Sequence, residues 1–191
     1  LPELQEMLNR HDEVSLREFC TALHPARTAE FMEGLSATEA WAVVGYADPA
    51  LREEIFSYFG RERQSEIIET QDLEQIAQLV ADLAPDDRVD VLDDVRPDRV
   101  YQLLELLPAD ERHDILRLRS YPDGSAGAVM TTEVAKLSET LSVTDALAEL
   151  GRQAEQLETI YYLYVVDATD HLRGVVSTRQ LVSAMGRPDA R

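Results

Sequence analysis

The sequence predicts a multi-domain chain, an all-α superhelical solenoid of short helices followed by a small α/β unit of order β-α-β-β-α. Three observations predict it. Apolar residues recur at helical spacing from residue 3 to about 119, with no strand alternation. Prolines recur at near-multiples of twelve residues through the same stretch. A Pro- and Gly-bearing break then gives way to short apolar runs rich in β-branched and aromatic residues. The boundaries read as 1–119 for the helical domain, 120–128 for a linker and 129–191 for the α/β unit.

The prolines set the helical frame. Pro25, Pro49, Pro85, Pro97 and Pro108 are separated by 24, 36, 12 and 11 residues. The empty slots of a twelve-residue period fall near Ala37, Arg61 and Leu73. Pro is tolerated at the first helical position, and acids in the first turn complement the positive end of the helix dipole. Pro85-Asp86-Asp87, Pro97-Asp98 and Pro108-Ala109-Asp110-Glu111 carry both signals. Ser36-Ala37-Thr38-Glu39 reads as a capping box. Val89, Leu92 and Val95, then Val100, Leu103, Leu104 and Leu107, then Ile115 and Leu118, form apolar stripes. A helix of about eight residues cannot stand alone in water. Each must bury its stripe against neighbours, which predicts stacked helix pairs.

Ser120 to Gly127 ends this pattern with one Pro and two Gly. Beyond it, Val134–Leu137 reads as a strand. Ser142-Val143-Thr144-Asp145 reads as a capping box opening a helix, with Ala146, Leu147 and Leu150 on one face. Ile160–Val166 reads as a buried strand, Asp167-Ala168-Thr169-Asp170 as a turn, and Leu172–Val176 as a third strand. Ser177 starts a last helix through Leu181, Val182 and Met185.

Composition limits function. Among 191 residues, 37 acids face 18 bases, for a net charge of −19. That excess argues against nucleic acid and anionic membrane as partners, since both need Lys and Arg. Hydrophobic residues make up 45%, enough for a packed core. No apolar run approaches the roughly 20 residues that span a bilayer, and the acidic start carries no leader-like apolar segment. The first residue is Leu, as expected of a fragment, so this absence does not bear on a parent chain. Seventeen of the bases are Arg and one is Lys136, a bias that fits a GC-rich genome. Excess acid with little Lys also fits salt adaptation. Cys20, the single cysteine, reads as a small buried hydrophobe in a reducing compartment. His11, His24, His113 and His171 have no paired spacing and read as surface or turn residues, and Trp41 as packing between repeats.

The acids cluster. Residues 82–114 hold eleven acids and four Arg. Asp86 and Asp90 are spaced i, i+4, as are Asp90 and Asp94, so each pair shares a helix face. Like charges at that spacing repel, and a divalent cation relieves the repulsion. Carboxylates without Cys or His suit Mg²⁺ or Ca²⁺ rather than Zn²⁺. Mg²⁺ keeps most of its water and takes one or two carboxylates, so a helical pair is an adequate half-site. A solvated acidic face explains the same spacing.

Val129-Met130-Thr131, the capping box at Ser142, Tyr164-Val165-Val166-Asp167 and Leu172-Arg173-Gly174-Val175-Val176-Ser177 together resemble a CBS motif. With the acidic helical domain and the Tyr121-Pro122-Asp123-Gly124-Ser125-Ala126-Gly127-Ala128-Val129-Met130-Thr131 junction, nearly the whole chain resembles the cytosolic region of MgtE-family magnesium transporters. The resemblance implies Mg²⁺ bound at domain interfaces by Asp86, Asp87 and Asp90, with Asp94 in the same acidic run. It implies a regulatory Mg²⁺ sensor whose ion-bridged, compact form closes a pore. It further implies a second CBS motif and a transmembrane domain in the parent chain, a homodimer through CBS, and a place at the cytoplasmic face of the cell membrane. CBS pairs often bind adenine nucleotides through a Ser/Thr-x-x-Asp pattern. Ser177-Thr178-Arg179-Gln180 matches it except that Gln180 replaces the acid, so the ribose-binding acceptor is lost and nucleotide binding at Ser177, Thr178 and Gln180 is weak. The alternative is a protein-interaction scaffold, since the helical domain also resembles FliG-type motor proteins, with CBS serving dimerisation or adenine-nucleotide sensing. No phosphate loop, Gly-x-Ser-x-Gly or His-Glu-x-x-His occurs, so an enzymatic role has no support.

Overall fold

The computed structural model describes residues 2–122, 124–154, 157 and 159–185. Asp123 of the junction and the tail 186–191 of the last unit lie outside the described residues. The chain divides into two compact units between Met130 and Thr131.

Ten α-helices are described in the first unit: α1 (Pro2–Arg10), α2 (Glu13–Ala22), α3 (Pro25–Phe31), α4 (Ala37–Val44), α5 (Pro49–Ser57), α6 (Arg61–Thr70), α7 (Leu73–Asp82), α8 (Pro85–Asp93), α9 (Pro97–Leu106) and α10 (Ala109–Leu118). From α3 to α10 each helix begins twelve residues after the one before. The slots without proline, at Ala37, Arg61 and Leu73, are the first residues of α4, α6 and α7. Pro25, Pro49, Pro85 and Pro97 stand at N1, whereas Pro108 is the N-cap of α10. That one-residue offset accounts for the odd spacing of eleven, because α10 itself keeps the period. Side-chain caps replace proline at α4 and α7, while α6 starts after Gly60 with no side-chain cap bond. Ser36 and Glu39 form a reciprocal capping box, and Asp48 and Asp72 accept from the amides of Leu51 and Gln75.

Each helix from α3 to α8 packs against the helix two further on, so odd and even helices form two interleaved columns. Their stripes merge into one core that includes Leu16, Ile55, Phe56, Ile67, Ile76, Leu92 and Leu103. Trp41 is buried as expected, and its Nε1 donates to Gln75 Oε1 at 3.2 Å, linking α4 to α7.

A second set of contacts ties helix ends together. The last carbonyls of a helix have no intrahelical donor, and the fourth residue of a following helix often supplies one. Gln64 Nε2 donates to Phe56 O at 3.0 Å. Arg88 Nε donates to Val80 O at 3.2 Å, and its NH2 to Ala81 O at 2.9 Å. Arg52 reaches Gly45 O at 3.2 Å and Arg112 reaches Leu104 O at 3.5 Å. Third-position arginines reach further: Arg63 to Met32 O at 3.1 Å and Arg99 to Ile68 O at 2.9 Å.

The first unit closes with a 3-10 helix, Ala126–Val129, which overlaps the end of the stretch expected to be linker. A Cβ on Gly127 would lie 2.5 Å from the Tyr121 ring, so the Tyr-Pro…Ala-Gly junction is a ring packed on a bare backbone. The second unit contains β1 (Lys136–Ser138), α11 (Val143–Gln153), β2 (Tyr162–Val166), β3 (Leu172–Ser177) and α12 (Thr178–Ala184). The sheet order is β1-β2-β3, parallel then antiparallel. β1 begins two residues later than expected because its ladder is fixed by Lys136 facing Tyr164. Ala135, Leu137, Ala146, Leu150, Leu163 and Leu181 form its core.

Candidate functional site

Four of the eleven acids of the run, Asp86, Asp87, Asp90 and Asp93, lie on α8. Asp86 and Asp87 occupy its first turn after Pro85, and Asp94 is its C-cap. Asp86 is half-buried, and its Oδ1 is out of solvent with no hydrogen-bond partner. Asp87, Asp90 and Asp94 are exposed. Asp87 and Asp90 line one side of a groove of about 350 Å³, and Ser57, Arg61 and Gln64 line the other.

The sequence reading left out the residue that faces these acids. Arg61, the first residue of α6, places one guanidinium nitrogen 3.2 Å from Asp90 Oδ2 and another 3.5 Å from Asp94 Oδ2. Four residues on, Ser65 Oγ donates to Asp94 O at 2.9 Å. Local spacing cannot reveal a partner 29 residues away. The twelve-residue period could have done so, since it puts the start of α6 two repeats before α8 and so in the same column.

Asp90 therefore brings the pieces together, one helical turn from Asp86 and from Asp94. The donors are hard carboxylate oxygens, which fit Mg²⁺ with most of its water retained. Among the described residues no group of three or more His, Cys, Asp or Glu converges on a point that could hold a metal ion.

Elsewhere in the helical unit some carboxylates are already committed. Burial raises the Glu69 carboxyl, but hydrogen bonds from Arg96 N at 2.6 Å and Nε at 2.8 Å outweigh it and hold the group below its ordinary value. The Ser36 amide and hydroxyl, with Gln5, hold Glu39 low. Cys20 is fully buried, its Sγ donating to Val43 O at 3.5 Å, and burial pushes the thiol up to about 11. A thiol so raised is no nucleophile at neutral pH.

In the second unit, Ser177 is the N-cap of α12 and forms a reciprocal capping box with Gln180. Gln180 Oε1 accepts from Ser177 N at 2.8 Å and from Ser177 Oγ at 2.9 Å. Thr178 Oγ1 donates to Ile160 O. Ser177 thus starts the helix as expected, and Gln180, expected only as part of a nucleotide motif, closes the capping box with it. The pair at Ser142 is only half a box: Asp145 N donates to Ser142 Oγ at 3.2 Å, but the Asp145 carboxylate takes the Ser142 hydroxyl. A mostly apolar cleft of about 370 Å³ lies beside Gln180, with Ser138 and Glu139 as its other polar walls. No described helix is long and apolar enough to cross a membrane.

Comparison with known proteins gives these sites a context. The model of the MgtE intracellular N domain matches residues 23–124, and that of the CBS domain matches residues 126–187. The magnesium transporter MgtE of Thermus thermophilus is 33% identical over 184 residues, 95% of this chain and 41% of that protein. The magnesium transporter MgtE of Enterococcus faecalis is 45% identical over 74 residues, 39% of this chain and 16% of that protein. The chain thus spans about two fifths of the length of the Thermus relative. A crystal structure of the soluble part of a magnesium transporter superposes with a TM-score of 0.84 at 31% identity, covering 95% of this chain and 72% of the other. The cytosolic domain of the Mg²⁺ channel MgtE in complex with ATP gives 0.83 at 33% identity, covering 95% and 74%. With its helical repeats matched by the N-domain model and its sheet unit by the CBS model, the chain belongs to the MgtE family.

Proposed function

We propose that this chain is the regulatory, Mg²⁺-sensing cytosolic part of a magnesium transporter, acting at the inner face of a membrane. The observation that carries this reading is the carboxylate ladder of α8, with Asp86, Asp90 and Asp94 one turn apart, inside a family N domain. Residues 1–119 supply the acidic helical domain, 120–128 the connection and 129–191 one CBS motif of an expected pair. A second CBS motif and a transmembrane domain of the same parent chain are its partners, with dimerisation through CBS.

Mechanism follows from charge. At low Mg²⁺ the carboxylates of α8 repel one another and any acidic surface facing them. Asp86, Asp87, Asp90 and Asp94 would supply oxygens to a hydrated Mg²⁺, and a facing surface would supply the remaining contacts. The ion favours the compact arrangement only in so far as it binds that arrangement more tightly. The compact state is the pore-closed one. The test is limited proteolysis with and without millimolar MgCl₂. Mg²⁺ protects the wild-type chain, and Asp86→Ala with Asp90→Ala removes that protection. Unchanged protection in the double variant would refute the assignment.

A second reading concerns ATP, because a relative's cytosolic domain was crystallised with it. The cleft lined by Gln180, though not by Ser177 or Thr178, is the candidate place. Gln180 Oε1 is already filled by Ser177, so it offers a ribose no free acceptor. Weak adenine-nucleotide binding is the expected result of an ATP titration.

A further inference from the structure

We propose that Arg61 is a tethered counter-ion that competes with divalent cations for the carboxylates of α8 and so sets the Mg²⁺ concentration at which they fill. The proposal rests on the reading of α8 as a Mg²⁺ site and adds a residue that regulates it. Arg61 stands on α6, and its two guanidinium nitrogens reach carboxylates one turn apart, Asp90 at 3.2 Å and Asp94 at 3.5 Å. It lines the groove opposite Asp87 and Asp90. A planar fork suits that bridging geometry.

Arg61 is more than half exposed, as are Asp90 and Asp94. Exposed pairs of this kind stabilise a fold very little, so their consequence is electrostatic. Without divalent ions, Arg61 neutralises part of the repulsion between Asp90 and Asp94. A divalent ion approaching Asp90 meets that positive charge and must push the guanidinium aside. The column packing of α6 on α8 keeps the arginine close enough to return when the ion leaves. A unit charge a few ångströms from a divalent ion at a wet, salt-screened surface changes binding by roughly threefold to tenfold.

The experiment is a MgCl₂ titration of thermal stability at constant ionic strength, on the wild-type chain and three variants. Arg61→Gln is expected to reach half-effect at about threefold to tenfold less Mg²⁺ than wild type. Arg61→Lys, which keeps the charge, is expected to stay within about twofold of wild type. Arg10→Gln removes the same charge from an exposed pair with Glu6 in α1 and is expected to leave the midpoint unchanged. An Arg61→Gln midpoint equal to or above wild type overturns the proposal while leaving the Mg²⁺ site standing. An equal tightening in Arg10→Gln also overturns it, because bulk charge then explains the effect. No saturable Mg²⁺ effect in wild type or Arg61→Gln overturns the site itself, and the proposal with it.

Discussion

Replacing Arg88 by Met should destabilise the helical unit more than any other single loss among its end-clamping side chains. Arg88 is only 6% exposed, the fourth residue of α8, with its stem in the core. Its Nε and NH2 satisfy Val80 O and Ala81 O at 3.2 and 2.9 Å, carbonyls at the end of α7. Met preserves most of the stem volume, so the loss isolates the guanidinium. Each hydrogen bond from a charged donor is worth about 1.5–3 kcal/mol, and stranded carbonyls keep part of their desolvation cost. Partial access of water to Ala81 O lowers the sum, giving an expected loss of about 2–4 kcal/mol. Against a total stability of roughly 5–15 kcal/mol that is large. Urea denaturation followed by helical circular dichroism should show the midpoint falling by about 1–2 M at unchanged slope. Arg112→Met is the comparison, since Arg112 makes one long bond of 3.5 Å to Leu104 O and is half-buried. It should cost about 1 kcal/mol or less. Equal midpoints for the two variants would refute the clamp argument.

Gly127→Ala should cost about 1–3 kcal/mol, because its methyl would meet the Tyr121 ring at 2.5 Å. Adding Tyr121→Ala should recover part of that loss, and a double variant no better than Gly127→Ala would exclude the contact as the cause. Acid should destabilise the chain through its committed carboxylates. Asp12, Glu39, Glu69 and Asp167 are all held below their ordinary values in the folded state. Their contribution is therefore present above the usual carboxyl range of about 4 and is lost as pH falls through their lower folded values. Relief of the −19 self-repulsion acts the other way at first. Melting temperature should pass through a maximum and then fall below about pH 4, and a steady rise down to pH 3 would contradict this.

The frame of the helical unit was legible because proline, capping residues and the apolar stripe all report one property, where a helix starts. The period located α4, α6 and α7 even though Ala37, Arg61 and Leu73 carry no proline. What the period did not announce was who clamps whom. Arg88, Arg99 and Arg63 look in the sequence like ordinary solvated charges, yet each reaches carbonyls 7 to 31 residues away. Those partners sit at the ends of helices one or three repeats earlier, which local spacing does not encode. In the second unit the apolar run at residues 160–166 located β2, but pairing set the start of β1 at Lys136. The acidic ladder was legible as spacing. Its counter-ion was not, because Arg61 is distant in sequence and close only after α6 stacks on α8. Ser177 and Gln180 match two patterns at once, a nucleotide motif and a capping box, and the local backbone satisfies the second.

A divalent-cation site at the carboxylates of α8 and a merely salt-adapted surface respond differently to Mg²⁺ and Na⁺. The most direct measurement is the melting temperature of the wild-type chain and of Asp86→Ala with Asp90→Ala, in MgCl₂ and in NaCl at equal ionic strength. Ligand at ten times its dissociation constant stabilises by about 1.4 kcal/mol, a rise of roughly 3–6 °C for a chain of this size. That rise is expected for wild type in MgCl₂ over NaCl, and its loss in the double variant. Equal stabilisation of wild type by the two salts would contradict it.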